Sequence, residues 1–399
     1  MTKEMAELNQ QRRTLVMRPG REGALRNRHP WIFTGAIDRE TGPETAPFGD
    51  LVDAGGTIVA SGFYSLHSQI RLRVLSHGAR ADEALVRQRV AAAVSRRAHL
   101  RSEATTAVRL IHSEGDDLSG VIVDLYGEFA VVQIANRGAE SLAPVIVDEL
   151  RNHVSLRGIW YENDVPLRDV ERLPRESRWE GDGEPVAEVR ENGLRFRVDS
   201  RGGQKTGFFL DQRDNRQYTQ HLARGASVLN LFSYTGAFGV YAAAGGAAAI
   251  ENVDTSVPAL DAARTNYEMN GSLDKATFVT ADAFSHVRFL SHERKQYDFV
   301  ICDPPAFVKN RNDVDRAARG YKDINLYSMR LIRPGGYLMT FSCSGHMPAD
   351  LFQKIVFSAA LDTGRRVSFI RRLTAGEDHP VSLFCPEGEY LKGFLLQVE

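Results

Sequence analysis

The chain has 399 residues, a length that predicts two or three domains with a large buried core. Its 50 Lys and Arg residues balance 51 Asp and Glu residues, so any argument for nucleic-acid binding must come from local patches and not from total charge. The N-terminus lacks the apolar core of a signal peptide, no run is long and apolar enough to span a bilayer, and three cysteines suggest neither a disulfide framework nor a metal site. These features predict a cytoplasmic protein that does not enter membranes.

Residues 1–80 predict a small β-barrel with a basic end. The first thirty residues carry seven Lys or Arg residues and three acidic residues. Apolar runs separated by turn-forming residues predict short strands at Trp31–Phe33, Leu51–Asp53, Thr57–Tyr64 and Ile70–Leu75.

The run from Arg28 to Phe33 resembles the opening of a PUA domain, an RNA-binding pseudo-barrel. The resemblance implies that basic side chains, including Arg12 and Arg28, neutralise RNA phosphates. It also implies that exposed rings such as Trp31 or Tyr64 stack on bases. A solvated basic face without RNA is the alternative.

Residues 81–186 predict a small α+β domain. The predicted elements are helices at Ala81–Leu100 and Glu140–Arg151 and strands at Val108–His112, Val121–Tyr126, Phe129–Ile134 and Gly158–Glu162. The run from Arg109 to Asp124 resembles the central domain of one rRNA methyltransferase family, although Ser119 replaces the usual proline. The polar stretch 163–185 predicts a surface linker that leads to a domain boundary.

Residues 187–399 begin with a predicted hairpin, because Asn192 and Gly193 lie between two alternating runs. The segment Gly202–Arg216 is too polar to serve packing alone. We expect it to cover a cofactor or a target base, with Lys205 as a contact for substrate RNA. Asp211 is expected to cap a helix that continues to Leu222.

A strand, a glycine turn and a helix are predicted after this segment. Val228–Phe232 form the strand, and a second strand over Ala247–Val253 ends at Asp254. In open parallel sheets, ligands lie beyond the carboxyl ends of the strands, with a glycine-rich first turn and an acid about 20 residues further on. The sequence therefore predicts that Asp254 can hold a ribose at this edge.

Two further predicted strands, Phe278–Thr280 and Tyr297–Cys302, also lead into aspartates, at Asp282 and at Asp303. This spacing resembles the class I S-adenosylmethionine methyltransferases, which have a Rossmann-like fold. The resemblance implies S-adenosylmethionine as the cofactor, with Asp254 at its ribose and Asp282 at its adenine. The other implied contacts are Asp303 and the turn residues Phe232, Ser233, Tyr234, Thr235 and Gly236. The alternative is that the acids only cap the helices that follow.

The loop after Asp303 continues with two prolines and Ala306, at the position where amino-methylating enzymes carry an aromatic residue that stacks on the base. Phe307 is one residue away and is a candidate for this contact with the substrate RNA. Ala306 itself argues against methylation of an exocyclic nitrogen.

The next predicted strand, Tyr337–Ser342, ends at Cys343. Ser-Cys-Ser at this place resembles the nucleophile region of class I RNA cytosine carbon-5 methyltransferases, which implies catalytic roles for Cys343 and Asp303. A positive charge should stabilise the thiolate, and Lys205 and His379 are candidates. A buried structural cysteine is the alternative.

Together with the C-terminal tail, these features resemble the 23S ribosomal RNA cytosine carbon-5 methyltransferases that have an N-terminal PUA domain. The resemblance implies an α/β class I methyltransferase domain at 187–399, preceded by a PUA β-barrel at 1–80 and an α+β domain at 81–186. It also implies methyl transfer to a cytosine of large-subunit ribosomal RNA through a cysteine adduct. An RNA amino-group methyltransferase and a non-catalytic RNA-binding assembly factor stay open, as does the oligomeric state.

Overall fold

The structure is a computed structural model that describes residues 11–201, 207–308 and 313–399. The chain divides into two compact units. The first holds the described residues of Met1–Val189, Val198–Phe209 and Glu377–Gly388, and the second those of Arg190–Arg197, Leu210–Gly376 and Glu389–Glu399. The two later segments that join the first unit were not predicted. The separation of this unit into domains at residue 80 stays a prediction.

The first unit begins with a six-stranded sheet. Its strands are β1 (Arg12–Met17), β2 (Trp31–Phe33), β3 (Ile37–Thr41), β4 (Phe48–Val52), β5 (Ile58–Tyr64) and β6 (Ile70–His77), with a short helix α1 (Gly23–Arg26). The strand order is β2-β6-β5-β4-β1-β3, in which only β1 and β4 run parallel. Leu15, Ile32 and Leu72 lie in its fully buried core because alternate residues of the strands face inward.

A second sheet of the first unit has five strands in the order β11-β10-β9-β8-β7. The strands are β7 (Ala107–His112), β8 (Val121–Tyr126), β9 (Phe129–Ile134), β10 (Gly158–Glu162) and β11 (Ser177–Gly181), and the helices are α2 (Glu83–Arg96), α3 (Arg137–Ser141), α4 (Ala143–His153) and α5 (Leu167–Val170). Val86 and Val90 of α2 and Ile146 and Leu150 of α4 share one buried core with the sheet.

The expectation of an irregular linker over 163–185 is wrong, because this stretch contains α5 and β11. Strand β11 pairs antiparallel with β10 along its whole length. The Trp179 ring packs over Gly158 so closely that a Cβ there would lie 2.3 Å from the ring. The charged composition of this stretch did not indicate a strand. Packing of Trp179 helps to hold β11 at the edge of the sheet.

Strands β12 (Val186–Glu191) and β13 (Leu194–Asp199) form the predicted hairpin. Asn192 and Gly193 both have positive φ, 51° and 85°. These angles are those of the tight turns that Asn-Gly favours between antiparallel strands, so the prediction is confirmed.

The second unit is built around a seven-stranded sheet in the order β16-β15-β14-β17-β18-β20-β19. Its strands are β14 (Ser227–Leu231), β15 (Ala249–Asp254), β16 (Ala276–Thr280), β17 (Tyr297–Cys302), β18 (Ile332–Ser342), β19 (Val367–Leu373) and β20 (Lys392–Val398), and its helices are α6 (Arg213–Leu222), α7 (Ala237–Ala244), α8 (Val257–Met269), α9 (Ala283–His292), α10 (Val314–Arg330) and α11 (Ala349–Thr363). Strands β14 to β18 pair in parallel, and β20 runs antiparallel to both of its neighbours.

This topology brings the carboxyl ends of five parallel strands to one edge. The strand order reverses between β14 and β17, and in open sheets ligands bind at such a switch point. None of the helices in the described part of the chain is both long and apolar enough to cross a membrane.

Candidate active site at the carboxyl edge of the seven-stranded sheet

The loop after β14 has an unusual backbone. Phe232, Tyr234 and Gly236 all have positive φ, at 57°, 48° and 74°. For the two aromatic residues this conformation costs about 1–3 kcal/mol each and persists only where the surroundings enforce it. A Cβ on Gly236 would lie 2.9 Å from Ala263 Cβ, so the close approach of the turn to α8 requires glycine. Such strain is typical of ligand-binding loops.

Asp254, the last residue of β15, holds this loop in place. Its Oδ2 accepts a hydrogen bond from Tyr234 N (2.8 Å), and its Oδ1 accepts one from Ser256 N (2.9 Å). A carboxylate has about four acceptor sites, so two backbone bonds leave capacity for ligand hydroxyls. The carboxylate is partly exposed and is therefore both oriented and accessible.

The loop also contains an unsatisfied buried hydroxyl. Ser233 Oγ is buried and has no hydrogen-bond partner in the part of the chain that the structure describes. Thr235, also buried, receives a hydrogen bond on its carbonyl from Asn266 Nδ2 (2.9 Å). A buried hydroxyl without a partner costs free energy, so it fits a polar ligand at this turn. These groups suit the charged methionine end and the ribose of S-adenosylmethionine.

Asp282 caps the helix that follows it, which is the alternative role that we considered for the acids at the strand ends. It is the N-cap of α9, and its Oδ1 accepts hydrogen bonds from Ser285 N and Ser285 Oγ, both at 2.9 Å. The side chain is exposed at the same edge as Asp254. Capping by one oxygen does not compete with ligand binding by the other, so its adenine contact stays a prediction.

Asp303 follows β17 and is fixed by a chain of buried amides. Its Oδ2 accepts a hydrogen bond from Gln212 Nε2 (2.9 Å), and Gln212 Oε1 accepts one from Asn215 Nδ2 (2.6 Å). Asn215 Nδ2 also donates to Thr374 O (3.0 Å). The orientation of the Asp303 carboxylate is therefore set from the start of α6, and Gln212 lies in the predicted segment Gly202–Arg216, although it was not singled out as a site residue.

The expectation that Asp211 caps α6 is wrong. The helix begins at Arg213 after Gln212, which makes no side-chain capping bond. Asp211 instead accepts a hydrogen bond from the Tyr390 hydroxyl on its Oδ2 (2.6 Å). Its partner lies 179 residues away along the chain, beyond the reach of a local pattern.

Cys343 follows β18 directly and is partly exposed. Its Sγ lies 3.7 Å from Pro304 O, so the thiol is next to the loop of Asp303. The flanking serines are held by one phenol: Ser342 Oγ donates to Tyr321 Oη (2.9 Å), and the Tyr321 hydroxyl shares a hydrogen bond with Ser344 Oγ (3.1 Å). Burial raises the pKa of Tyr321 to about 12, so its hydroxyl stays neutral. Both residues that flank the cysteine are thus anchored to one buried phenol.

A buried lysine accompanies this cysteine. Lys392, the first residue of β20, pairs with Ser342 across the sheet and is only 5% exposed. Its Nζ donates a hydrogen bond to Ser344 O (2.7 Å). Burial lowers the pKa of Lys392, and the neighbouring Cys343 acts in the opposite direction. Lys392 is therefore a candidate for the positive charge that we had expected from Lys205 or His379.

Neither of those two residues can be given this role from the structure. Lys205 lies outside the described residues. His379 belongs to the first unit, is 4% exposed and hydrogen-bonds through Nδ1 to Asp378 Oδ1 (3.0 Å). Lys392 was missed because the pairing of β20 with β18, not sequence proximity, brings it to the thiol.

The other two cysteines are inaccessible. Cys302 in β17 and Cys385 in the first unit are 0% and 1% exposed. Burial raises the pKa of the Cys302 thiol, and burial together with Glu114 and Glu387 raises the pKa of Cys385 to about 12. Both thiols stay protonated at neutral pH and are poor nucleophiles.

Phe307 packs into the protein. Its ring centroid lies 4.7 Å from that of Tyr321, 5.7 Å from that of Phe284 and 6.4 Å from that of Phe232. Stacking on a base would require the ring to leave this cluster. The packing favours support of the Asp303 loop over the RNA contact that we expected.

The basic side chains of the six-stranded sheet are largely used internally. Arg12 donates to Asp50 Oδ1 (2.9 Å), and Trp31 Nε1 donates to Glu114 Oε1 (2.9 Å). Tyr64 is fully buried, so the expectation of an exposed ring there is wrong. Outside the strands, Arg18, Arg21, Arg26 and Arg28 are exposed, and Arg28 has no ion-pair partner within the described residues.

A group of potential metal ligands also occurs in the first unit. His29, Cys385 and Glu387 have ligating atoms within 4.8 Å of one another. However, His29 Nδ1 accepts a hydrogen bond from Trp31 N (3.1 Å), which places the proton of the neutral ring on Nε2. Nε2 lies 3.3 Å from Glu387 Oε2 and donates to it. A metal-bound histidine would donate from its other nitrogen, so this geometry is that of a hydrogen-bonded pair.

Comparisons with known proteins agree with this arrangement. A family model of S-adenosylmethionine-dependent methyltransferases matches residues 170–381, and a model of PUA-like domains matches residues 15–77. The predicted fold class is therefore confirmed in both parts of the chain.

Curated relatives match nearly the whole chain. Ribosomal RNA large subunit methyltransferase I of Alteromonas mediterranea is 43% identical over 394 residues, covering 96% of this chain and 98% of the relative. The protein of the same name from Klebsiella pneumoniae is 43% identical over 391 residues, with 96% and 98% coverage.

Solved structures share the fold at low identity. A Streptococcus mutans protein assigned as a SAM-dependent methyltransferase superposes with a TM-score of 0.81 at 22% identity, covering 96% of this chain and 100% of that one. A methyltransferase structure in complex with SAH gives a TM-score of 0.82 at 22% identity, with the same coverage.

Proposed function

The chain belongs to the S-adenosylmethionine-dependent methyltransferases, in the family of ribosomal RNA large subunit methyltransferase I, and on this premise we propose that it methylates carbon 5 of a cytosine in 23S ribosomal RNA through a covalent adduct on Cys343. One observation carries the proposal. A partly exposed thiol stands at the ligand-binding edge of the sheet beside a buried ammonium, whereas the other two thiols are buried.

The chemistry requires a thiolate because carbon 5 of cytosine is a poor nucleophile. Addition of the Cys343 thiolate to carbon 6 turns the ring into an enamine whose carbon 5 is electron-rich. S-adenosylmethionine supplies a methyl group on a positively charged sulfur. Loss of the carbon-5 proton to a base then expels the thiolate and restores the double bond between carbons 5 and 6, so the cysteine is regenerated.

The chain's own residues prepare this thiolate. Lys392 stabilises the negative charge on sulfur, since it lies at the same loop and its ammonium is shielded from water. Tyr321 fixes the two serines that flank the cysteine. Exclusion of water from this site strengthens both the attraction between Lys392 and the thiolate and the hydrogen bonds of Tyr321.

Asp303 orients the base. Its carboxylate is held by Gln212 and stands in the loop whose Pro304 carbonyl contacts the Cys343 thiol. A carboxylate there accepts a hydrogen bond from the exocyclic amino group of cytosine, a group that uracil lacks. The target must leave its stack to reach this pocket, at a cost of a few kcal/mol.

Methylation of an exocyclic amino group is the competing reaction. That chemistry places an aromatic residue after Asp-Pro-Pro to stack on the base, and the chain has Ala306 there, with the Phe307 ring packed against Tyr321. These observations favour carbon 5 over the exocyclic nitrogen.

The proposal is tested by incubating the protein and S-adenosylmethionine with unmodified 23S ribosomal RNA and identifying the product nucleoside by mass spectrometry. We expect 5-methylcytidine at one position. N4-methylcytidine, or another methylated nucleoside, would refute the carbon-5 assignment.

A further inference from the structure

A basic cavity lies in the second unit between α9 and α10. Its volume is about 550 Å³. Arg288, Arg319 and Lys322 line it, together with an apolar surface from Phe284 and Leu326. We call this feature the basic cavity.

Positively charged residues outnumber negatively charged residues in the lining of the basic cavity. Asp323 is the only acid among its lining residues, and it pairs with Arg288. Lys322 pairs with Asp362, which is outside the lining, at 2.7 Å. Arg319 has no ion-pair partner within the described residues and is exposed. Exposed ion pairs of this kind contribute only about 0–1 kcal/mol, so an incoming phosphate can replace the acids.

The basic cavity is connected to the thiol by packed rings within the second unit. Phe284, which lines the cavity, lies 5.7 Å from Phe307, and Phe307 lies 4.7 Å from Tyr321. Tyr321 hydrogen-bonds to the serines on both sides of Cys343. A chain of three ring residues therefore separates the cavity from the loop of the nucleophile.

We propose that the basic cavity binds the phosphate backbone of the substrate RNA close to the target nucleotide, with Arg319 as its main contact. Arginine binds phosphate oxygens with two parallel hydrogen bonds, and lysine adds a point charge. The apolar surface of Phe284 and Leu326 suits an unpaired base next to these phosphates. This inference rests on the proposed function insofar as RNA is the substrate.

The test uses charge reversal. Arg319→Glu and the double change Arg319→Glu with Lys322→Glu are compared with wild-type protein in binding to a 23S ribosomal RNA fragment at several salt concentrations, with S-adenosylhomocysteine present. We expect about tenfold weaker binding at low salt for Arg319→Glu. We also expect the salt dependence to become shallower by about 0.7 for each single-strand phosphate that the variant no longer binds.

Arg224→Glu provides the matched control. Arg224 is exposed between α6 and β14, at the amino end of the sheet, and also lacks an ion-pair partner within the described residues. We expect it to change RNA affinity less than twofold. All variants should bind S-adenosylhomocysteine as the wild type does, which shows that they fold.

If Arg319→Glu binds RNA as tightly as Arg224→Glu and the wild-type protein do, with the same salt dependence, the basic cavity is not an RNA site. This outcome is independent of the product nucleoside. Wild-type protein that forms 5-methylcytidine while Arg319→Glu binds RNA normally would overturn only this inference, and a different product nucleoside would overturn only the carbon-5 assignment.

Discussion

The carboxyl edge of the seven-stranded sheet and the six-stranded sheet of the first unit were both expected to contact ligands, and they differ in the partners that hold their side chains. At the edge, Asp254 and Cys343 are partly exposed. In the six-stranded sheet, Arg12 and Trp31 are bound by Asp50 and Glu114. The difference shows that the sheet topology decides which residues lie at the ligand edge. Contacts with residues far away in the sequence decide whether a basic side chain is available to a ligand.

The internal partners of the six-stranded sheet come from distant parts of the chain. Arg13 pairs with Glu40 at 3.4 Å, and Arg18 donates to Ile37 O at 3.0 Å. Asp50, the partner of Arg12, is nearly buried and also binds Arg80 at 3.0 Å. These contacts contribute to folding, so part of the positive charge near the N-terminus is not available to RNA.

The largest effect that would sharpen this comparison is expected at Cys343. Cys343→Ala should lower methyl transfer on the order of a thousandfold or more, because no other thiol is accessible to replace it. Binding of RNA and S-adenosylhomocysteine should persist. Cys385→Ala is the control and should transfer methyl groups at nearly the wild-type rate. A comparable rate for Cys343→Ala would show that the thiol is not the nucleophile.

The next effect is expected at the cofactor loop. Asp254→Ala should weaken S-adenosylmethionine binding by about 1.5–3 kcal/mol in calorimetry, because a charged acceptor is removed and the hydrogen bond that it accepts from Tyr234 N is lost. Asp261→Ala on α8, an exposed acid, serves as the control. Equal affinities for the two variants would remove Asp254 from the cofactor site.

A smaller effect is expected from Lys392→Met. Without the ammonium, the thiolate is less stable, so the pH midpoint for alkylation of Cys343 by iodoacetamide should rise and the rate at neutral pH should fall about tenfold. Lys354→Met, at an exposed position of α11, is the control. An unchanged pH profile would mean that Lys392 does not stabilise the thiolate and serves only as a hydrogen-bond donor to Ser344 O.

The smallest effects are expected to distinguish an exposed arginine of the first unit, Arg28, from one that is paired inside the protein, Arg12. Arg28→Ala should weaken RNA binding a few-fold and reduce its salt dependence, with no change in the free energy of unfolding. Arg12→Ala should instead cost about 1–2 kcal/mol of stability in denaturant unfolding, because the nearly buried Asp50 loses one of its partners. Loss of stability in Arg28→Ala without weaker RNA binding would contradict the distinction.

Sequence alone was sufficient for many elements. Strands at Val121–Tyr126, Phe129–Ile134, Gly158–Glu162 and Tyr297–Cys302 have the predicted bounds, since each is an apolar run stopped by turn residues or proline. The positions of Asp254, Asp303 and Cys343 at the ligand edge followed from the same periodicity. These features depend on local propensity and on a parallel topology with few variants.

The rest depends on contacts between residues that are far apart in sequence. Gln212 reaches Asp303 across 91 positions, and Lys392 reaches Ser344 across 48. The packing of Phe307 depends on α9 and α10, and the internal use of Arg12 depends on β4. No periodicity in the sequence indicates such pairs.

The most direct measurement of the central claim uses RNA that carries 5-fluorocytosine at the target position. Fluorine replaces the proton that must leave carbon 5, so the enzyme should stall as an adduct that survives denaturation after methyl transfer. We predict that peptide mapping places this adduct on Cys343 and that Cys343→Ala forms none. Absence of an adduct, or an adduct on Cys302 or Cys385, would contradict the account.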